Sequence, residues 1–228
     1  MYRRFGKRLI DICVSVICVP FFLVAFLFVA PLIYLTDRGP VFYNAERLGK
    51  GGRFFKMYKF RSMRVNAPDL RNADGSTFNS SSDPRVTKIG RIIRKTSLDE
   101  TPQIFNVLKG DMSIVGPRAH LTTKYFGWDS QTELQKKRLS VRPGITGYSQ
   151  AYYRNSATSE EKDEQDAYYV DHLSFALDVK ILIQTVLSIV KHKNIYSSEG
   201  RKAVGVYSSE SRKIIDLEED NSAGADGK

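Results

Sequence analysis

The hydrophobic pattern of the chain is most uneven at its N-terminus. Residues 12 to 36 carry no charged side chain, and the stretch from Val19 to Leu35 is almost entirely apolar. About 20 apolar residues are enough to cross a bilayer as a helix. A secretory signal peptide explains the segment poorly, because Phe28 rather than a small residue lies two positions before Ala30. We therefore predict a membrane segment over residues 1–38.

Basic residues flank this segment on both sides. The N-terminal cluster comprises Arg3, Arg4, Lys7 and Arg8, and the following cluster comprises Arg38, Arg47, Lys50, Arg53, Lys56, Lys59, Arg61 and Arg64. Lysine and arginine mark the cytoplasmic side of a membrane, so one straight span, the alternative topology, cannot satisfy both clusters. Pro20 removes a helical hydrogen bond and bends a helix. The pattern favours a re-entrant helix that is broken at Pro20 and returns to the same face.

Beyond Gly39 the pattern changes to short strands and helices. Apolar runs on either side of the turn Gly49–Gly52 predict a β-hairpin, and residues 64–85 read as a mobile loop. Helices are predicted over residues 125–139, 160–170 and 175–191. The expected fold class is α+β, mainly α with a small β-hairpin. Residues 39–200 would form one cytoplasmic domain packed on the membrane face, and residues 201–228 a mostly disordered tail.

The net charge narrows the set of binding partners, and the cysteines indicate a reducing compartment. The 228-residue chain has a formal net charge of +10, which favours an anionic partner such as nucleic acid, anionic membrane lipid or a phosphorylated substrate. No recognisable nucleic-acid-binding module is present, which disfavours the first of these. Cys13 and Cys18 lie inside the apolar segment, where they read as small apolar side chains in a reducing compartment.

Two adjacent acidic residues stand out before an apolar helical run. Asp99 and Glu100 allow two interpretations. In the first, Ser97 and Glu100 form a capping box and the acids are structural. In the second, Pro102 occupies the first helical position and Thr101 is the cap, which leaves both carboxylates in the preceding loop. In either case they lie near a helix N-terminus, a place suited to a phosphate group.

Three segments around this pair resemble a known family. They are Ser97–Gln103 (SLDETPQ), Phe105–Pro117 (FNVLKGDMSIVGP) with Arg118, and Val141–Gly147 (VRPGITG) followed by Gln150. In this order they closely resemble the bacterial sugar transferases, the monotopic phosphoglycosyl transferases that begin the assembly of lipid-linked glycans. The similarity extends from about Tyr2 to about Glu199. It also implies a re-entrant helix, although this chain has Val19-Pro20 where the family has a Ser-Pro pair.

The resemblance implies a reaction and a location. The chain would transfer a sugar 1-phosphate from a UDP-sugar to undecaprenyl phosphate and release UMP, at the cytoplasmic face of the bacterial inner membrane. Asp99 would attack the phosphorus next to the sugar and hold the phosphosugar covalently. Glu100 would act as a metal ligand or a proton acceptor. Magnesium is the implied cofactor, and we assign it mainly to Asp99 and less firmly to Glu100.

Cationic side chains are the predicted phosphate ligands. Lys59 lies in the family-like motif Lys59–Met63 (KFRSM) and is predicted to pair with Asp99. The further candidates are Arg94, Arg118, Arg142 and Arg154, because a guanidinium offers a planar fork to phosphate oxygens. Asp166 matches a family acid that we expect to be structural and to pair with one of these arginines.

Other functions fit parts of the same pattern. A non-catalytic adaptor that holds anionic lipid through a basic membrane-surface face would share the composition and the anchor. An inverting glycosyltransferase would share the substrates but release UDP. The sugar, the glycan pathway and the presence of a homo-oligomer stay open at this level.

Overall fold

The computed structural model describes residues 1–72, 78–121, 128–153, 157–190, 205–208 and 213–216. Its helices are α1 (Lys7–Asp37), α2 (Lys88–Lys95), α3 (Gln103–Lys109), α4 (Glu133–Arg138), α5 (Tyr148–Tyr152), α6 (Ser159–Asp171) and α7 (Phe175–Val190). Its strands are β1 (Phe42–Leu48), β2 (Phe54–Phe60), β3 (Leu70–Arg71), β4 (Ser113–Val115), β5 (His120–Leu121), β6 (Gly144–Thr146), β7 (Gly205–Ser208) and β8 (Lys213–Asp216). The fold is mainly helical with small sheets, as predicted.

The N-terminal segment forms one long helix. A π-helical turn over Tyr2–Gly6 leads into α1, and together they are long and apolar enough to cross a membrane. Pro20 and Pro31 both lie inside α1, which is continuous until Arg38 adopts a left-handed conformation with a φ of 53°. The predicted apolar helix is therefore present, whereas the predicted break at Pro20 is not confirmed.

Both ends of α1 are tied to the same domain. Near its start, Lys7 forms an ion pair of 2.6 Å with Asp178 of α7. At its end, both carboxylate oxygens of Asp37 accept hydrogen bonds from Arg61, which follows β2, at 2.5 and 2.6 Å. The helix thus lies along the domain instead of projecting from it.

A phenylalanine cluster joins the middle of α1 to the domain. The Phe22 ring stacks on Phe60 of β2 with 5.8 Å between centroids and contacts Phe105 of α3 edge-on at 5.0 Å. Phe26 and Phe42 extend the stack. Such pairs add stability beyond the area that they bury. The cluster fixes β2 and α3 against the membrane helix.

The predicted hairpin is confirmed. Strands β1 and β2 pair antiparallel from Phe42 opposite Phe60 to Leu48 opposite Phe54, with β5 on the other side of β1. One face of the hairpin carries Phe42 and Phe60 toward α1. The other face carries Met57, which packs in a second core with residues of α3. The hairpin is therefore enclosed between two cores.

The second half of the chain is organised by a parallel strand pair and a buried arginine. Strand β4 pairs parallel with β6. Arg138 at the end of α4 forms ion pairs with Asp163 and Asp166 of α6, so Asp166 does pair with an arginine, but not with one of the predicted phosphate ligands. The outer face of α7 is exposed and apolar, with Phe175, Ile183, Val186 and Val190 among its exposed side chains.

Three predicted segments differ or fall partly outside the described residues. Helix α4 is shorter than the predicted 125–139 because Thr132 and Gln135 form a capping box that starts it, and residues 125–127 are not described. In the predicted loop, residues 73–77 are not described, and Arg85 anchors the remainder by donating to Asp83 and to the carbonyl of Phe78. Most of the tail 201–228 is also outside the description. Its two described ranges are β7 and β8, and β7 pairs with β3.

The phenylalanine cluster predicts different effects for two phenylalanines of α1. Phe22 is 6% exposed, whereas Phe28 is 70% exposed on the same helix. We expect Phe22→Ala to lower the free energy of unfolding by about 3–5 kcal/mol, because it leaves a cavity between α1, β2 and α3. The matched control Phe28→Ala should leave it nearly unchanged in detergent. Denaturant unfolding in detergent micelles measures both values, and equal losses would contradict the packing described.

Candidate active site

The two acidic residues lie in a turn before a helix. A 3₁₀ turn over Leu98–Glu100 carries both carboxylates, and α3 begins after Pro102. The capping-box interpretation is wrong, because Ser97 adopts a left-handed conformation with a φ of 58° and its side chain makes no cap hydrogen bond. The second interpretation correctly places the acids ahead of the helix. Its cap is not formed, since the Thr101 hydroxyl donates to the carbonyl of Leu98.

Lys59 joins the two carboxylates. Its Nζ lies 2.9 Å from Oδ2 of Asp99 and 3.2 Å from Oε1 of Glu100, so the structure forms the predicted pair with Asp99 and adds Glu100. Asn106 of α3 holds the strand that carries Lys59. Its Oδ1 accepts from the Tyr58 backbone N–H at 2.9 Å, and its Nδ2 donates to the Lys56 carbonyl at 2.8 Å. Hydrogen bonds between α3 and β2 therefore hold Lys59 in position relative to the carboxylates.

Arg118 lies on the open side of this pair. Its guanidinium is 3.3 Å from Oε1 of Glu100, and its side chain is 53% exposed, whereas that of Asp99 is 4% exposed. The Arg118 carbonyl accepts a 2.9 Å hydrogen bond from the buried Arg138. The backbone of Arg118 is thus fixed while its cationic end faces solvent, an arrangement suited to binding an anion.

The neighbouring carboxyl groups have pKa values displaced in opposite directions. Burial raises the pKa of Asp99, and Glu100 raises it further, against the opposing effects of Lys59 and Arg94. Burial also acts to raise the pKa of Glu100, but Lys59 and Arg118 outweigh it and lower that pKa to about 2. Two adjacent acids that share one lysine are expected to differ in this way.

Arg94 approaches the site from α2 and is oriented by Ser62. The Nε of Arg94 donates a 2.8 Å hydrogen bond to the Ser62 hydroxyl, and its charge lowers the pKa of Asp99. Helix α2 comes this close because Gly90 has no side chain. A Cβ there would lie 1.9 Å from the Ser62 carbonyl oxygen. Sequence reasoning missed Ser62, although it lies inside the KFRSM motif that pointed to Lys59.

Of the remaining predicted ligands, Arg142 lies away from the carboxylates. The Nε of Arg142 donates at 2.8 Å to the carbonyl of Gly110, at the opposite end of α3. Arg8 also donates to backbone carbonyls at this end of α3, so both arginines bind the C-terminal end of the helix. Arg154 lies outside the described residues, and Pro20 lies within the membrane helix.

The carboxylate pair is chemically suited to magnesium. No cluster of three or more His, Cys, Asp or Glu side chains able to hold a metal occurs within the ranges that the structure describes. Magnesium, however, usually binds through one or two carboxylates, several waters and substrate phosphates, without a full set of protein ligands. Asp99 and Glu100 supply that donor set.

The opposite pKa displacements predict opposite effects of two amide substitutions on stability. The ionised form of Glu100 stabilises the fold at neutral pH, and this contribution is lost as the pH falls toward 2. The pKa of Asp99 is raised, so its ionised form destabilises the fold at neutral pH. We expect Asp99→Asn to unfold at the same or a higher temperature than the unsubstituted protein at pH 7, and Glu100→Gln at a lower one. Thermal unfolding in detergent tests this, and the reverse order would refute the electrostatic description.

Comparison with known proteins identifies the family. Residues 2–192 match the model of the family described as bacterial sugar transferase. The chain is 42% identical over 189 residues to the UDP-N-acetylgalactosamine-undecaprenyl-phosphate N-acetylgalactosaminephosphotransferase of Aeromonas hydrophila, covering 82% of this chain and 44% of that protein. It is also 42% identical over 189 residues to the uncharacterized sugar transferase EpsL of Bacillus subtilis, covering 83% and 89%.

A third relative has a different sugar in its name. It is the UDP-glucose:undecaprenyl-phosphate glucose-1-phosphate transferase of Xanthomonas campestris pv. campestris, 36% identical over 200 residues, with 86% of this chain and 41% of that protein covered. The chain thus spans less than half the length of the Aeromonas and Xanthomonas relatives and most of the length of EpsL. The extent of the match across residues 2–192 shows that the chain belongs to the bacterial sugar transferase family.

Proposed function

We propose that this protein transfers a sugar 1-phosphate from a UDP-sugar to undecaprenyl phosphate, with release of UMP. The observation that carries the proposal is the buried Asp99 carboxylate held by Lys59 beside the exposed cation of Arg118. The names of the Aeromonas and Xanthomonas relatives describe transfer of a sugar phosphate to undecaprenyl phosphate, which supports the same reaction. The product would serve as the first lipid-linked intermediate of a surface glycan.

The reaction proceeds in two displacements on phosphorus. An oxygen of Asp99 attacks the phosphorus that bears the sugar, and the bond from that phosphorus to the oxygen bridging it to UMP breaks. UMP leaves with the electron pair, and the sugar phosphate stays on Asp99 as an acyl phosphate. An oxygen of undecaprenyl phosphate then attacks the same phosphorus and releases the carboxylate. Each step needs only one substrate at a time, so the soluble donor and the lipid acceptor need not be bound together.

The cations around Asp99 stabilise the charge that such a reaction brings together. Lys59, Arg118 and Arg94 surround the position where the diphosphate must bind, and their positive charge offsets its repulsion from the attacking carboxylate. Bound magnesium would neutralise further charge on the diphosphate. A carboxylate whose pKa is raised is also more basic, and therefore a better nucleophile, once it is ionised.

Glu100 is better suited to binding a cation than to accepting a proton. Its pKa of about 2 is far below neutral, and an efficient proton acceptor has a pKa near the working pH. Glu100 also fixes both cations, since it binds Lys59 at 3.2 Å and Arg118 at 3.3 Å. We therefore assign Glu100 to positioning these cations and, together with Asp99, to holding magnesium. Asp99 is also the nucleophile.

We further propose that α1 is re-entrant at the cytoplasmic face of the inner membrane. A 31-residue helix is about 46 Å long, yet its first and last turns are ion-paired to one domain through Lys7–Asp178 and Asp37–Arg61. A span with its two ends on opposite sides of a bilayer would require that domain to cross the bilayer with it. The exposed apolar side chains of α1 and α7 supply the surface that would lie in the lipid.

Substitution of Asp99 by Asn tests the nucleophile. Asn retains the shape of the side chain but does not form an acyl phosphate, so we expect UMP release from the donor and product formation to fall by at least about 1,000-fold. Intact-protein mass spectrometry after incubation with donor alone should show an added sugar phosphate on the unsubstituted protein and none on Asp99→Asn. The control Asp171→Asn changes an exposed acid at the end of α6, and it should keep both activity and adduct.

The outcomes also separate the alternative functions. Full activity of Asp99→Asn would refute the nucleophile assignment. Absence of UMP release from every donor in a UDP-sugar panel, with undecaprenyl phosphate present, would favour a non-catalytic membrane adaptor. Release of UDP in place of UMP would indicate an inverting glycosyltransferase. Each of the last two results would overturn the proposed reaction as a whole.

The re-entrant arrangement predicts that both ends of α1 face the cytoplasm. In a background carrying Cys13→Ser and Cys18→Ser, single cysteines are introduced by Arg3→Cys or by Arg38→Cys. We expect a membrane-impermeant maleimide to label both proteins in inside-out vesicles and neither in right-side-out vesicles. Labelling of the two positions from opposite sides would establish a straight span.

A further inference from the structure

Tyr43 of β1 lies directly opposite the lysine of the site. The hairpin register pairs Tyr43 with Lys59, and residues opposite each other in an antiparallel pair point to the same face with Cβ atoms about 5 Å apart. The Lys59 ammonium contacts both Asp99 and Glu100. Tyr43 is therefore the cross-strand neighbour of the lysine that contacts both carboxylates, although it belongs to none of the motifs around Asp99.

The face that Tyr43 occupies is the one turned away from the membrane helix. Successive residues of a strand point to opposite faces, and the preceding residue, Phe42, stacks on Phe26 of α1 at 5.8 Å. Tyr43 consequently points toward the side of the hairpin that carries Lys59.

Exposure shows which side chains a substrate meets first. Tyr43 is 58% exposed and the Arg118 side chain 53% exposed. The side chains of Lys59 and Glu100 are 21% and 20% exposed, and that of Asp99 is 4% exposed. The two exposed side chains are thus attached to the site in different ways: Arg118 contacts Glu100, and Tyr43 lies opposite Lys59 on the hairpin. Arg118 is cationic and suits the phosphates, whereas Tyr43 is aromatic.

We infer that Tyr43 contacts the sugar of the donor and helps to determine which sugar is transferred. This inference rests on the proposed function, in which Asp99 attacks the phosphorus that bears the sugar. The sugar is then bonded through one oxygen to the reacting phosphorus, while the uridine is separated from it by a second phosphate. A side chain opposite Lys59 is therefore a candidate to contact the sugar, which is the group nearer to the reacting phosphorus.

The chemistry of tyrosine fits this contact. Its ring offers a flat apolar surface for the C–H face of a sugar ring, and its hydroxyl is a hydrogen-bond donor and acceptor for a ring substituent. Sugars that differ at one hydroxyl or one acetamido group would place different groups against that hydroxyl. A site that hydrogen-bonds a substrate group discriminates strongly against analogues that lack it.

The test compares two Tyr43 variants with a neighbouring control. Tyr43→Ala removes ring and hydroxyl, Tyr43→Phe removes the hydroxyl only, and Asn44→Ala changes the next residue, which is exposed on the opposite face of the hairpin. Each is assayed by UMP release with UDP-glucose, UDP-galactose, UDP-N-acetylglucosamine and UDP-N-acetylgalactosamine. Tyr43→Ala should lower kcat/KM for the preferred donor by about 10-fold or more and compress the ranking of the four donors. Tyr43→Phe should retain activity but compress the ranking, and Asn44→Ala should change neither.

Two further measurements identify the group that Tyr43 contacts. Inhibition by UMP and the KM for undecaprenyl phosphate should be the same in Tyr43→Ala as in the unsubstituted protein. Weaker inhibition by UMP would place the tyrosine against the nucleoside. A raised KM for undecaprenyl phosphate would place it against the lipid. Either result would overturn the inference. An unchanged ranking of the four donors would overturn it as well. Failure of the unsubstituted protein to release UMP would instead refute the proposed function, so the two failures are distinguishable.

Discussion

The structure around the site depends on one shared cation. Two adjacent carboxylates at the edge of a protein core repel each other and lose hydration, and both effects favour their neutral forms. Lys59 offsets this cost because its ammonium lies within 3.2 Å of both groups. That geometry requires β2 and the turn before α3 to be fixed relative to each other. Asn106 provides this by hydrogen-bonding the backbone on both sides of Met57.

The membrane helix contributes to the same geometry. Phe22 of α1 stacks on Phe60, the residue after Lys59, and touches Phe105 of α3, while Asp37 binds Arg61 two residues beyond the lysine. The strand that carries the shared cation is thus held by α1 on one face and by α3 along one edge. A shift of α1 would displace the lysine relative to the carboxylates. The long apolar helix is for this reason also a structural part of the site.

Sequence patterns predicted the features that depend on nearby residues: the hairpin and the apolar helices α1 and α7 follow from periodicity, and all are present. The pairing of Lys59 with Asp99 joins residues far apart in sequence, and it was expected from the family resemblance. Features that depend on tertiary contacts were not predictable in this way. Arg142 lies in a family-like motif, but the fold places it at the C-terminal end of α3. Ser62 and Tyr43 reach the site only through the packing of α2 and the register of the hairpin.

The failed capping box explains how the two acids come to differ. With Ser97 in a left-handed conformation, the turn directs Asp99 into the core and leaves Glu100 near the surface. Burial is the largest single effect on both pKa values. At Asp99 it outweighs the effect of Lys59, whereas at Glu100 Lys59 and Arg118 together outweigh it. A regular helix start would have given both acids similar solvation and a shared role as helix caps. The irregular turn thus creates one carboxylate suited to nucleophilic attack and, in the next residue, one that holds the cations on which that attack depends.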